Sequence, residues 1–160
     1  MSKTFDDTIV EEFCLLDKNN FHVNLSGHRL FLCGGPIDAT AAYPVSFRDR
    51  LYTYTATKAS SLHDSFVLAE HFKDYFKKNT YTDLLAFEDD IASLSTLVII
   101  FLESPGALVE LGMFCNKPGF YKKLIIIAPQ KKVQEEDSFI FLGPLEYIKK
   151  KDSTSVAIFP

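Results

Sequence analysis

Leu97-Val98-Ile99-Ile100-Phe101-Leu102-Glu103-Ser104-Pro105-Gly106-Ala107-Leu108-Val109-Glu110-Leu111-Gly112 reads as a strand, a tight turn and a helix in succession. Residues 97–102 are wholly apolar, the pattern of a strand covered on both faces. Ser104 suits an N-cap and Pro105 the first helical position. A helix therefore starts at the Ser-Pro-Gly turn and carries Glu110 about one and a half turns in. One turn back from Glu110 stand Gly106 and Ala107, whose small side chains leave space over its carboxyl group. The stretch predicts an acid at the carboxyl end of a central strand, beneath a pocket that could admit a substrate.

Outward from this segment, strand and helix alternate. Arg29–Cys33 is a short strand ending in Gly34-Gly35-Pro36, residues 45–57 a helix, 65–69 a second strand and 70–78 a short helix. Residues 82–93 form another helix, with Leu84, Leu85, Ile91 and Leu94 as apolar positions and Glu88, Asp89 and Asp90 as a polar edge. Lys123–Ala128 is a strand stopped by Pro129. A charged loop (130–137) follows, then strand-like pieces at 139–142, 145–148 and 156–159. Near the N-terminus, Phe5, Ile9, Val10, Phe13 and Leu16 are spaced as one face of an amphipathic helix over 5–17. The alternation implies right-handed crossovers and an α/β fold, a mainly parallel sheet of about four to five strands with helices on both faces. Ligands in such sheets bind beyond the carboxyl ends of the strands, where Gly34-Gly35, Glu70 and Glu103-Ser104 fall.

Composition narrows the classes. A chain of 160 residues with 47% apolar content is enough for one domain with a real core. A net charge of -4 argues against the whole chain being a nucleic-acid binder. Lys149-Lys150-Lys151, with Lys131-Lys132, is either a local basic contact patch or a set of solvated lysines. Three scattered cysteines, Cys14, Cys33 and Cys115, have no metal-ligand spacing and read as reduced thiols of a cytoplasmic protein. The segment Met1–Asp7 does not read as a targeting sequence. The apolar runs are too short to cross a bilayer, so no membrane partner is expected. His22, His28, His63 and His71 lack the paired spacing of a metal site. Ser104 has no recognisable His–Asp partners for a serine-nucleophile reading.

Each candidate residue admits two readings. Gly34-Gly35 lets a backbone approach a ribose or phosphate, or makes a tight turn. Glu110 faces a substrate, or is an exposed helical glutamate. Within the acidic run, Glu88 lies on the side shared with Leu84, Leu85 and Ile91, and turns to the pocket if any member does; otherwise the run is a solvated face. Glu103 bonds a sugar hydroxyl, or favours the positive end of a helix. Arg48 clamps a phosphate, or is a surface cation.

Together these segments carry a family pattern. Phe31-Leu32-Cys33-Gly34-Gly35, Phe47-Arg48-Asp49-Arg50-Leu51, Leu84-Leu85-Ala86-Phe87-Glu88 and above all Glu103-Ser104-Pro105-Gly106-Ala107-Leu108-Val109-Glu110-Leu111-Gly112-Met113-Phe114 resemble the N-terminal, nucleoside-deoxyribosyltransferase-like domain of retron effector toxins. Phe139-Ile140-Phe141-Leu142-Gly143-Pro144 and Ser153-Thr154-Ser155-Val156 also look like that family, so the similarity covers roughly residues 28–159. The resemblance implies a Rossmann-like or flavodoxin-like fold. Residues 1–160 would be a single domain, with 1–27 a helical extension and 28–160 the catalytic core. It implies that Glu110 matches the nucleophilic glutamate of the transferases' Glu-Leu-Gly motif. Glu88-Asp89 and Glu103 stand approximately where those enzymes carry their other carboxylates.

The function so implied is an N-glycosidase that cleaves the base–sugar bond of a nucleotide as the toxin of a retron anti-phage defence system. Glu110 would stabilise or bond to the anomeric carbon, and Glu88 or Asp89 would orient the sugar or activate water. Cys33, Gly34, Gly35, Arg48, Glu70, Glu103, Ser104 and Gly106 would surround the substrate. Nicotinamide leaves as a neutral molecule from a cationic glycoside, whereas a purine needs protonation at the ring, so the lack of an evident general acid favours NAD over a purine nucleoside; NAD, NADP, a dNMP and a deoxynucleoside all stay open as substrates. No cofactor is expected; NAD or another nucleotide enters as substrate. The implied partners are the retron reverse transcriptase and its msDNA (branched DNA–RNA), a DNA-binding subunit or region elsewhere, and further copies of the chain. The alternative is a non-catalytic nucleotide-sensing module, or a structural subunit docked on the reverse transcriptase–msDNA complex.

Overall fold

The structure, a computed structural model, describes residues 27–72, 83–133 and 141–160. Five strands form one sheet: β1 (Leu30–Cys33), β2 (Phe66–Val67), β3 (Leu97–Phe101), β4 (Leu124–Pro129) and β5 (Val156–Phe159). Their order is β2-β1-β3-β4-β5, and every pairing is parallel. This is the flavodoxin-like order, in which the chain winds one way from β1 and the other way from β3. The main helices are α1 (Phe47–Lys58), α2 (Ser60–His63), α3 (Leu84–Leu94), α4 (Pro105–Phe114), α5 (Gln130–Val133) and α6 (Glu146–Lys151).

Alternation along the strands builds two cores. Phe31, Cys33, Val98, Ile100, Leu124, Ile126 and Ala128 face one side, where Ala92 of α3, Ala107, Leu111 and Phe114 of α4 and Ile148 of α6 pack on them. Leu32, Ile99 and Phe101 face the other side, against Leu51 and Tyr52 of α1. Both faces of β3 are therefore covered, as its unbroken apolar run requires. Val98, Ile100 and Leu102 are each 0% exposed. Since α1 follows β1 on one face and α4 follows β3 on the other, the chain parts at the carboxyl ends of these neighbouring strands and opens a crevice.

Several elements differ from the sequence reading. The helix anticipated over 5–17 lies outside the described residues. Of the helix over 70–78, the described part is a 3-10 turn, Ala69–Phe72. The second strand contracts to Phe66–Val67. The loop after Pro129 begins as the single turn α5. Residues 145–148 are not strand-like: Leu145 and Ile148 are buried three positions apart, one helical face, with Glu146 in the first turn of α6 and Lys149–Lys151 in its last. In α3 the buried stripe is Phe87 and Ala92, with Ile91 packed beside it, whereas Leu84, Leu85 and Leu94 are exposed.

Candidate functional site

Glu103 holds the crevice together. Immediately after β3, its carboxylate accepts backbone N–H groups from Phe47 at 2.8 Å, Arg48 at 2.9 Å and Gly35 at 3.3 Å. Two of these open α1, so a carboxylate from the neighbouring crossover satisfies N–H groups that a helix start leaves unpaired. Ser46 completes the cap: its hydroxyl accepts from Asp49 N–H at 2.9 Å and donates to Pro36 C=O at 2.8 Å. Asp49 reaches back to Val45 N–H at 2.9 Å. The Ser-Phe-Arg-Asp spacing is a capping-box signal that marks this helix start in the sequence. Across the crevice, Ser104 caps α4 by accepting from Ala107 N–H at 3.2 Å and donates to Gly34 C=O at 3.0 Å.

These contacts correct two expectations. Glu103 is committed to backbone N–H groups of the β1–α1 connection rather than presented to a sugar hydroxyl. The helix it favours is α1, not the one it precedes. The two glycines are indeed close-approach positions, but the neighbours are protein. A Cβ on Gly35 would lie 2.7 Å from Ser46 Cβ, and one on Gly34 would lie 2.9 Å from Phe101 Cβ and 3.1 Å from Arg48 Cβ. Gly34 also has φ +153°, which side-chain-bearing residues rarely adopt.

Between α3, α4 and the end of β1 lies a cavity of about 370 Å³. Gly106, Ala107 and Glu110 line it from α4, Glu88 and Leu84 from α3, and Glu70 from the turn after β2. Arg48 and Gly34 lie at its β1–α1 side, with Phe31 and Leu32. The window expected over Glu110 is present: a Cβ on Gly106 would meet nothing nearer than Ser104 Oγ at 3.9 Å.

Among the described residues, acids outnumber cations in the lining of this cavity. Arg48, 4% exposed, forks onto Glu70 at 2.6 and 2.8 Å and donates to Gly35 C=O at 3.1 Å. It is neither a surface cation nor a free phosphate clamp, because its fork is occupied by a carboxylate. Its Nε is buried and has no hydrogen-bond partner among the described residues, and neither has Glu110 Oε2. Burial, and after it the negative charge of Glu88, push the Glu110 carboxyl up to about 7; Cys33, by hydrogen bonding, and Arg48 oppose this. Glu88 is raised too, by burial and then by Glu70. Cys33, buried beneath Glu110, has its thiol pushed well up, first by burial and then by Glu110, so it stays protonated and is no nucleophile.

The cavity thus brings Gly34, Arg48, Glu70, Glu88, Gly106 and Glu110 together. Cys33, Gly35, Glu103 and Ser104 frame it without lining it. Asp89 stands apart from it, half-exposed and paired with Lys117. The sequence reading missed the apolar lining, Phe31, Leu32, Ala69 and Leu84. Leu84 carried a signal, since it lies one helical turn before Glu88 on the same face. Chemically, a largely buried carboxyl that ionises near neutrality beside a cavity can stabilise or bond to a developing carbocation. Among the described residues no cluster of His, Cys, Asp and Glu is arranged to hold a metal ion.

Comparison with known proteins places the chain. Residues 44–160 match the family model described as STM3845 retron effector protein. The chain belongs to this retron effector family. Two Escherichia coli relatives agree. The "Retron Ec86 putative ribosyltransferase/DNA-binding protein" is 35% identical over 127 residues, covering 79% of this chain and 39% of the relative. The "Retron Ec73 putative ribosyltransferase/DNA-binding protein" is 33% identical over 129 residues, covering 79% and 39%. The chain thus spans about two fifths of the length of these relatives. The matched part of this retron effector contains Arg48, Glu70, Glu88, Gly106 and Glu110. Among its described residues no helix is long and apolar enough to cross a membrane.

Proposed function

We propose that this retron effector is an N-glycosidase that cleaves the base–sugar bond of a nucleotide, with NAD the favoured substrate, as the toxic arm of anti-phage defence. The observation that carries this reading is Glu110: a carboxyl with an unpartnered buried oxygen, lining a 370 Å³ cavity beside the crevice where ligands of this fold bind. The relatives' names, which speak of ribosyl transfer, support the same class of chemistry.

In the proposed reaction a Glu110 oxygen bonds to C1′ as the C1′–N bond breaks. The bonding pair goes to the ring nitrogen, and nicotinamide leaves neutral. Water then displaces the carboxylate from C1′, giving the free sugar hydroxyl and releasing one proton. Gly106 and Ala107 provide room for the sugar. Glu88 lies on the α3 side of the cavity, where it orients the sugar or takes a proton from the water; Asp89, held by Lys117, takes no part. Arg48 holds Glu70 in place at the β1–α1 side of the cavity. The proposed partners are the retron reverse transcriptase and its msDNA, a DNA-binding subunit or region elsewhere, and further copies of the chain; the relatives' names, which speak of DNA binding, support the msDNA.

The test is chromatography of NAD, NADP, dNMPs and deoxynucleosides incubated with the protein and with Glu110→Gln. Free base is expected from the parent protein and none from the variant. Equal turnover by both would remove Glu110 from the reaction, and a ligand bound and returned unchanged by the parent would make the domain a nucleotide sensor.

A further inference from the structure

We infer that this domain carries a contact surface for single-stranded nucleic acid, in which Tyr147 stacks on a base and Lys122, Lys150 and Lys151 hold the strand's phosphates. The inference stands apart from the Glu110 reaction and adds a nucleic-acid contact within the domain itself. Lys149, Lys150 and Lys151 stand in the last turn of α6. Tyr147 lies one turn before Lys150 and Lys151, so the ring and both cations share a side of the helix. Tyr147 is 39% exposed, and Lys150 and Lys151 are exposed. The Tyr147 hydroxyl meets that of Tyr121 at 2.9 Å, and the two rings stand edge to face with centroids 6.1 Å apart. The Lys151 Nζ sits 5.4 Å from the Tyr147 centroid and 5.8 Å from that of Tyr121. Lys122, also exposed, follows Tyr121 directly. Beside Tyr147 and Lys150 is a depression of about 380 Å³, lined in addition by Cys115, Asn116, Gly143 and Pro144.

The hydroxyl contact and the Lys151 ammonium fix the orientation of the rings, so Tyr147 offers a rigid π-face at the edge of the depression. Every nucleobase has a π-face to set against it, and the flanking cations take the phosphates. A base within a duplex is already stacked and paired, so the arrangement suits a single strand. An acidic peptide would use the lysines and leave the ring idle. Of the acids on these segments, Glu146 stands in the first turn of α6. Asp152 is turned into the next turn, where it accepts from Thr154 N–H at 2.9 Å and from its hydroxyl at 2.6 Å. The surface is remote from the Glu110 cavity: α4 runs from its cap after β3 back to Cys115, and Tyr121 and Lys122 lead into the amino end of β4. A bound strand therefore leaves the cavity mouth open. Lys131 and Lys132 lie in α5, beyond the carboxyl end of β4, and take no part.

The experiment is fluorescence anisotropy of a short labelled oligo(dT) with the full chain over a series of salt concentrations, with a duplex of equal length and poly-glutamate as competitors. The parent should bind the oligonucleotide with a log–log salt slope of about −2, as three phosphate contacts on a single strand give. Tyr147→Ala should weaken binding about tenfold and leave the slope unchanged. Lys150→Gln combined with Lys151→Gln should weaken it about tenfold and flatten the slope by about 1.4. Thermal melting confirms that each variant folds. Tyr147→Trp gives the chain its only tryptophan and keeps a stacking ring, so its emission should be quenched as the oligonucleotide binds. This measurement decides the role of the ring even where the alanine variant does not fold. No binding by the parent, affinity that a folded Tyr147→Ala leaves intact, an unquenched Tyr147→Trp, or equal displacement by the duplex or poly-glutamate would overturn the inference.

Discussion

Replacing Glu110 with glutamine should stabilise the protein while removing its chemistry. The carboxyl lies at about 7 in the fold against its ordinary 4.5. A folded-state value raised for an acid means that the native state holds its proton over a pH range where the unfolded chain has lost it. Stability therefore falls as pH rises from below 4.5 to above 7, and is level beyond. At roughly 1.4 kcal/mol per pH unit, the penalty is about 1 kcal/mol at pH 5 and about 3 kcal/mol at pH 8. Glutamine has nearly the same shape and carries no such penalty. The variant should melt higher than the parent, by roughly 6–12 °C at pH 8 for a domain of this size, and by a third of that or less at pH 5. Calorimetric melting of both proteins across this range is the assay. Parent kcat/KM should also climb with pH through about 7, since the proposed nucleophile is the ionised form. A gain in melting temperature that is flat with pH, or a variant less stable than the parent at pH 8, would refute the reasoning. It would mean that Glu110 is not held against burial and the charge of Glu88.

Two further substitutions separate the cavity from its frame. Gly106→Leu places a side chain into open space next to Glu110, so ligand binding should be lost in a calorimetric titration. Its melting temperature should hold or rise, because glycine costs about 1 kcal/mol in a helix. Glu103→Ala frees three N–H groups at the start of α1 and at Gly35, and should destabilise the fold by about 3 kcal/mol in a urea titration, with Glu103→Gln recovering part of it. An alanine variant as stable as the parent would return Glu103 to the sugar-binding role.

What the sequence disclosed is what its local signals encode. Residues 97–102 read as a doubly covered strand because no position among them is polar. The start of α4 was legible because Ser104 and Pro105 satisfy a helix start from within their own turn. The orientation of Glu88 followed from helical phase alone. The same phase argument failed for Leu84, Leu85 and Leu94 as core residues, since α3 has more apolar positions than one buried stripe can use. Contacts across the crevice were not legible. Glu103 meets partners 55, 56 and 68 positions away, and Arg48 meets Glu70 at 22. No periodicity reports which side chains two crossovers will bring face to face. Arg48 illustrates the consequence: as an isolated cation after a Gly-Gly turn it suggested a phosphate clamp, and only its fork on Glu70 shows that the charge is spent.

The division of labour among the acids follows from the same geometry. In a parallel sheet of this order the chain leaves β1 toward one face and β3 toward the other, so the two strand ends are neighbours with no covalent link between their loops. A connection has to be made by side chains, and Glu103 makes it by accepting three backbone N–H groups of the β1–α1 connection. Glu110 receives no such set of donors among the described residues: one of its oxygens has no partner there, and burial and the charge of Glu88 drive its carboxyl up. Two glutamates seven residues apart, on either side of one helix cap, thus take opposite fates. The satisfied one builds the crevice, and the unsatisfied one keeps its bonding capacity for whatever enters the cavity.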